Sequence, residues 1–190
     1  MDFLLALDQK LFLWINVGWS SSWLDSPFYY LTHLGGQTAG FIFPLVVLAL
    51  SRSGWSFLFS GLTYGVNAAV FKSIKYTVLR TRPLELAGAI LRQSPELTGA
   101  TDPSFPSGHA AISFMMAVFL SARYPRLSPL FLLLAGLICL SRIYLGLHYP
   151  SDVLVGALIG AAASGLLLYI GRKTKRLEAW FPAGPPKAAE

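Results

Sequence analysis

The sequence is poor in charge, in cysteine and in clustered acidic groups. Only 13% of its 190 residues are Asp, Glu, Lys or Arg, against about 25% in an ordinary soluble domain. Hydrophobic residues make up 54%. That balance excludes a soluble globular protein, and its apolar content excludes a disordered one. The single cysteine, Cys139, lies in an apolar run, so a disulfide framework and a Cys-ligated zinc or iron–sulfur site are excluded. No acidic cluster is present to hold a divalent cation. The net charge of +6 does not signify nucleic acid, because the basic residues sit at the ends of apolar segments and form no stripe. Charge so placed reads as membrane topology and, at one end, as a site for an anion.

What the sequence has in quantity is apolar runs. A spanning helix needs about 20 mostly apolar residues. Candidates are 56–79, 110–122, 127–147 and 153–171, with a shorter one at 38–50. The expectation is an all-α, polytopic transmembrane helix bundle of about five spans, six if the N-terminal helix inserts. Residues 3–19 carry Leu4, Leu7, Leu11, Trp14 and Ile15 at helical spacing, interrupted by Asp8, Gln9 and Lys10. That pattern predicts an amphipathic helix lying in the interface, and without a basic n-region or a small-residue cleavage site it is not a secretory signal. Three parts are expected: an interfacial segment 1–35, a transmembrane core 36–172, and a basic then Pro-rich cytoplasmic tail 173–190.

Loop charge orients the bundle. Arg52, Arg123, Arg126, Arg172, Lys173, Lys175 and Arg176 fall on one side if five spans alternate, and the positive-inside rule makes that side cytoplasmic. The other side holds Lys75, Arg80, Arg82, Arg92, Arg142 and the three histidines. These cations violate the rule, which points to another task for them.

Three clusters stand on that side. Lys75 and Arg82-Pro83 are two helical turns apart at a helix end closed by the proline; they suit an anion site or snorkelling charges. Pro106-Ser107-Gly108-His109 precedes an apolar run. Ser107 is an N-cap type, Gly108 admits close approach to the backbone, and a helix start offers N–H groups to phosphate oxygens; a plainly capped helix reads equally well. Ser141-Arg142, His148 and Asp152 close one span and open the next. An acid in the first turn of a membrane helix is expensive unless paired, and His148, four residues away, is within its reach. Such a carboxylate would hold one ring nitrogen and leave the other as a nucleophile. Arg80 and Arg92 lie outside these clusters and suit either a lipid headgroup or water, with water the favoured reading. His33 reads equally as a residue approaching the site from the outer interface and as a packed interfacial histidine. Ser141 is expected to satisfy a helix-end carbonyl.

The three clusters, in order and at these spacings, resemble the type 2 phosphatidic acid phosphatase superfamily, also called the lipid phosphate phosphatases. Its signature Lys-x6-Arg-Pro, Pro-Ser-Gly-His and Ser-Arg-x5-His-x3-Asp is met at every position between Lys75 and Asp152. The resemblance implies His148 as the nucleophile of a phosphohistidine intermediate, Asp152 as its orienting partner and His109 as the acid for the leaving oxygen. It implies Lys75, Arg82, Ser107, Gly108 and Arg142 as the phosphate-binding set, with no metal and no cofactor. The implied protein is a multi-pass enzyme of the plasma (inner) membrane with its site on the extracytoplasmic side and a phosphorylated membrane lipid as substrate. Polyprenyl pyrophosphate, phosphatidylglycerol phosphate, phosphatidic acid and lipid A phosphate all qualify. A lipid phosphotransferase would use the same residues. A non-catalytic phospholipid binder or transporter would be expected to have lost His148 or His109, and a soluble haloperoxidase does not match the apolar spans. The sequence sets no oligomeric state.

Overall fold

The computed structural model of the protein describes residues 2–86, 88–92 and 102–181. Seven α-helices and no strands occur among them: α1 (Asp2–Asn16), α2 (Ser22–His33), α3 (Gln37–Ser51), α4 (Gly54–Val78), α5 (Gly108–Arg123), α6 (Ser128–Tyr144) and α7 (Pro150–Lys173). The stretch 95–99 before the second cluster, which the sequence reads as part of an outer loop over 85–102, and the Pro-rich end of the tail lie outside the described residues.

Two helical stretches, Pro125–Tyr144 and Pro150–Lys173, are long and apolar enough to cross a membrane, or three if α2 and α3, bent by 53°, make one span. Length and composition therefore support fewer crossings than the five expected. The reasons are local. α5 is apolar, but its 16 residues reach roughly 24 Å, short of a hydrocarbon core of about 30 Å. α4 has 25 residues, but its buried edge is polar: Ser56, Ser60, Thr63, Asn67 and Lys75. Neither end of the Asn67 amide finds a partner.

The centre of the bundle is the seam between α5 and α7. In lipid, helices are held by close packing and interhelical hydrogen bonds, not by the hydrophobic effect, and small residues permit that approach. Gly156, Gly160 and Ser164 follow one another every four residues along the buried edge of α7. A Cβ on Gly160 would overlap the Ala111 carbonyl, and the Ser164 hydroxyl donates to the Met115 carbonyl at 2.6 Å. The opposite faces of the helices present Phe41, Leu45, Leu133, Leu154, Leu158 and Leu166 outward, as lipid requires.

At one end of the bundle, Phe43, Val47, Phe59, Met115, Phe119 and Leu168 close on Leu177 and Trp180. The chain after Lys173 therefore does not leave as a tail at once: both Leu177 and Trp180 are wholly buried, and the Trp180 indole donates to the Phe119 carbonyl at 3.1 Å. A boundary at residue 173 cuts through packed structure.

α1 exposes Leu4, Leu7, Leu11 and Trp14 and buries Asp8, Phe12 and Asn16. That buried edge runs along the site end. Phe12 meets the Tyr149 ring edge-on with centroids 5.6 Å apart. The Asn16 amide donates to the Ile90 and Tyr144 carbonyls and accepts from the Ile90 amide, each at 2.8 Å.

Candidate active site

The last turn of α4, the N-terminus of α5, the C-terminus of α6 and the N-terminus of α7 meet around one cavity of about 300 Å³. Lys75, Arg82, Gly108, His109, Arg142 and His148 line it, with Gln37, Tyr76 and Asp102 at its wall. Asp152 and Ser107 are not in the lining; both are fully buried behind it. The three clusters of the sequence thus converge on one place.

Local rules explain how each side chain arrives. α4 ends with Leu79 in a left-handed conformation, its amide bonded to the Lys75 carbonyl, and the chain turns extended through Arg82 before Pro83. The Arg82 guanidinium donates to the Leu147 carbonyl at 2.8 Å, to the Asp102 carbonyl at 2.9 Å and to the Asp102 carboxylate. Its Nη1 also lies 3.4 Å from His148 Nε2. Arginine has no acceptor, so Nε2 accepts and carries the lone pair. The Ser107 hydroxyl caps α5, accepting from the Ala110 amide at 3.4 Å. The Ser107 amide donates to the Asp152 carbonyl at 2.9 Å, tying the two helix starts together.

After α6 the chain turns through Gly146, whose φ of 86° is a left-handed value that glycine adopts freely. A Cβ there would come within 2.5 Å of the Ile90 carbonyl oxygen. The turn lets the Arg142 carbonyl accept from the Leu147 and His148 amides at 3.0 and 3.3 Å, which fixes His148 below the cavity. Arg142 is 2% exposed and donates to the Thr32 hydroxyl at 2.9 Å. The Ser141 hydroxyl donates to the Ile138 carbonyl at 2.6 Å, the structural task expected of it. His33 is exposed and packs edge-on against Tyr29, 5.1 Å between centroids.

Asp152 sits in the first turn of α7. Its Oδ2 accepts from the Tyr149 amide at 2.9 Å and from the Ser104 hydroxyl, and lies 3.5 Å from His148 Nδ1. Nδ1 makes no hydrogen bond at that distance; catalytic bonds are often long until substrate binds. Burial first, then the charges of Arg82 and Arg142, push the His148 imidazole down to about 3 against the pull of Asp152. The ring is therefore neutral at pH 7.

Five participants were not legible as site residues. Asp102 forms ion pairs with Lys75 at 2.8 Å and with Arg82. Burial would raise its carboxyl, but Lys75 and Arg82 outweigh burial and hold it below the usual carboxylate range. Thr32 and Ser104 are fully buried partners of Arg142 and Asp152. Arg80, expected to face water, pairs instead with Asp152 at 2.6 Å and with Asp8 at 2.7 Å. Burial opposes its charge, and those two carboxylates outweigh burial and raise its pKa. Arg92, likewise expected in water, has a 6% exposed side chain, pairs with Asp25 at 3.2 Å and lies over the Tyr144 ring. No group of three or more His, Cys, Asp or Glu among the described residues is placed to hold a metal ion.

The arrangement can hold a tetrahedral anion with cations and a helix start, and it presents an imidazole nitrogen to that anion. Comparison with known proteins identifies a family. The family model described as the PAP2 superfamily matches residues 49–176. The chain is similar to decaprenylphosphoryl-5-phosphoribose phosphatase of Mycobacterium tuberculosis, 35% identical over 148 residues, 77% of this chain and 80% of that one. It is similar to phosphatidylglycerophosphatase B of Bacillus subtilis, 31% identical over 170 residues, 81% and 78% of the two chains. Among solved structures, the crystal structure of Aquifex aeolicus LpxE superposes with a TM-score of 0.72 at 30% identity, covering 84% of this chain and 93% of that one.

Proposed function

The chain belongs to the PAP2 superfamily, a family of membrane lipid phosphatases, and on that premise we propose that it cleaves a phosphomonoester or pyrophosphate from a lipid through a phosphohistidine at His148, without a metal. The observation that carries this reading is the convergence of Lys75, Arg82, Gly108, His109, Arg142 and His148 on one cavity, with His148 Nε2 facing Arg82.

Phosphoryl transfer needs positioning and charge stabilisation more than covalent assistance. Lys75, Arg82, Arg142 and the first amides of α5 take the non-bridging phosphate oxygens. His148 Nε2 attacks phosphorus in line; the P–N bond forms as the bond to the lipid oxygen breaks. His109 gives the departing oxygen its proton. Water, giving a proton back to His109, then attacks the phosphohistidine, and phosphate leaves as the P–N bond breaks. With substrate bound, the 3.5 Å separation closes and Asp152 accepts from His148 Nδ1–H, which keeps the lone pair on Nε2.

The lipid enters from the leaflet with its phosphate at the water boundary. The basic residues at the other end of the bundle favour a plasma-membrane orientation with the site extracytoplasmic. Relatives named for polyprenyl-linked, phosphatidylglycerol and lipid A phosphates define the panel to test. Purified protein in detergent with chelator should release phosphate from at least one of them. His148→Ala should lower that rate at least ~10³-fold while its helical content stays intact. Normal turnover by His148→Ala, or loss of activity with chelator, overturns the mechanism. Recovery of radiolabel in a second lipid instead of in solution overturns water as the acceptor.

A further inference from the structure

Arg80 belongs to none of the three motifs and does not line the cavity, yet it has more short polar contacts than most residues that do. Its Nη1 donates to Asp152 Oδ1 at 2.6 Å and to the Ser151 hydroxyl at 2.7 Å. Its Nη2 donates to Asp8 Oδ2 at 2.7 Å, and its guanidinium carbon sits 4.1 Å over the Tyr149 ring. Its carbonyl accepts from the Ser104 amide at 2.7 Å, and Ser104 in turn donates to Asp152 Oδ2. Asp8 completes the figure: Oδ1 accepts from the Ser151 amide at 2.9 Å, and Oδ2 accepts from the Ser151 hydroxyl.

The two oxygens of Asp152 therefore have different duties. Oδ2 faces His148; Oδ1 is held by Arg80. Oδ2 already accepts from the Tyr149 amide and the Ser104 hydroxyl, and the Arg80 bond to Oδ1 adds an opposing restraint on the carboxylate torsion that sets how Oδ2 faces His148. Asp8 is itself an unusual choice. It lies on a helix whose other face is exposed Leu4, Leu7, Leu11 and Trp14, and acids are seldom buried unless paired. Its position is accounted for if it aims the guanidinium.

We propose that Arg80 is a positioning residue that clamps the Asp152 carboxylate for His148, and that Asp8 of α1 clamps Arg80, so that the N-terminal interfacial helix completes the catalytic dyad. This rests on the reading of His148 and Asp152 as nucleophile and orienter. Phosphate release by the native protein, and its loss in His148→Ala, test that reading separately.

The test is steady-state kinetics of Arg80→Ala, Arg80→Lys, Asp8→Ala and the double variant in detergent, alongside Arg82→Ala and thermal melting of each. Outer partners that orient a ligating histidine or carboxylate at metal sites carry about 10–100-fold, and the same scale is expected for a partner that orients Asp152. Arg80→Ala should lower kcat by about 100-fold with KM within about twofold. Asp8→Ala should lower kcat by about tenfold, and should add nothing in the Arg80→Ala background. Arg80→Lys, which keeps the charge and one of the two contacts, should recover part of kcat. Arg82→Ala, which removes a phosphate contact as well as the His148 neighbour, should lower kcat and raise KM together. The same kcat loss should appear as slower single-turnover labelling of His148. Native kcat in Arg80→Ala and Asp8→Ala overturns the proposal. So do losses that add in the double variant, or that enter KM and kcat alike, since these mark a general loosening. Should Arg80→Ala fail to fold, Arg80→Lys with a native melting midpoint and native kcat overturns it equally.

Discussion

The two ends of the bundle use the same residue types in opposite ways. At the site end, Lys75, Arg80, Arg82 and Arg92 are largely buried and each meets a carboxylate, in pairs made by Asp8, Asp25, Asp102 and Asp152. At the other end, Arg172, Lys173 and Arg176 are exposed and lie over the rings of Phe181, Tyr169 and Trp55. No ion pair occurs there among the described residues. Cations that serve topology need only a wet surface and a ring to rest on. Four desolvated cations at the site end are offset by carboxylates, whereas Arg142, equally buried, meets the Thr32 hydroxyl and no carboxylate among the described residues.

The comparison can be broken by removing one cation at each end. Arg82→Ala strips His148 Nε2, the Leu147 carbonyl and Asp102 of their common donor; phosphate release should fall about 10²–10³-fold. A loss below tenfold would mean the buried cations are not what distinguishes this end. The next largest effect is on stability against pH. The folded His148 binds its proton only near 3, whereas an unfolded histidine binds it near about 6.5. Between those values the unfolded state holds more protons, so stability is full above about pH 6.5 and declines as pH falls. Asp102, held low when folded, adds its own loss below about pH 4. Melting temperature in detergent should therefore drop steadily from pH 7 to 4. His148→Gln should flatten that slope, and Arg176→Ala should leave it unchanged.

How far the sequence disclosed this divide depends on the distance between partners. Each motif, the Ser107 cap and the Ser141 contact could be read because each rests on a short span of chain with its own local rule, while the meeting of the motifs was read from their common side of the bundle and from the resemblance. The ion pairs could not. Arg80 meets Asp8 and Asp152 across 72 residues each, and nothing local marks an arginine for burial. Arg80 and Arg92 were accordingly expected in water. Asp102 and Thr32 escaped for the same reason. At α4, counted as a span over 56–79, the sequence did not disclose that Ser56, Ser60, Thr63, Asn67 and Lys75 share one buried edge facing the neighbouring helices.

Smaller effects sharpen the contrast. Asp102 occupies two of the cations that a substrate phosphate needs. Asp102→Asn should tighten competitive inhibition by inorganic phosphate or vanadate, by roughly 1.5–5-fold for one screened charge at a partly exposed site. Weaker inhibition would show that Asp102 holds Lys75 and Arg82 apart for the substrate. The smallest effect belongs to the opposite end: Arg176→Ala should change turnover by less than about twofold and stability by no more than about 0.5–1 kcal/mol, the worth of an exposed cation–ring contact.

Trp180 carries a practical corollary. It is 0% exposed, whereas Trp14, Trp19, Trp23 and Trp55 are all open at the surface. A protein keeping only that indole would emit from a dry, rigid setting beyond the reach of aqueous quenchers. Its fluorescence would follow the melting of the bundle's base while enzyme assays follow the far end, a built-in optical reporter for whether the two come apart together.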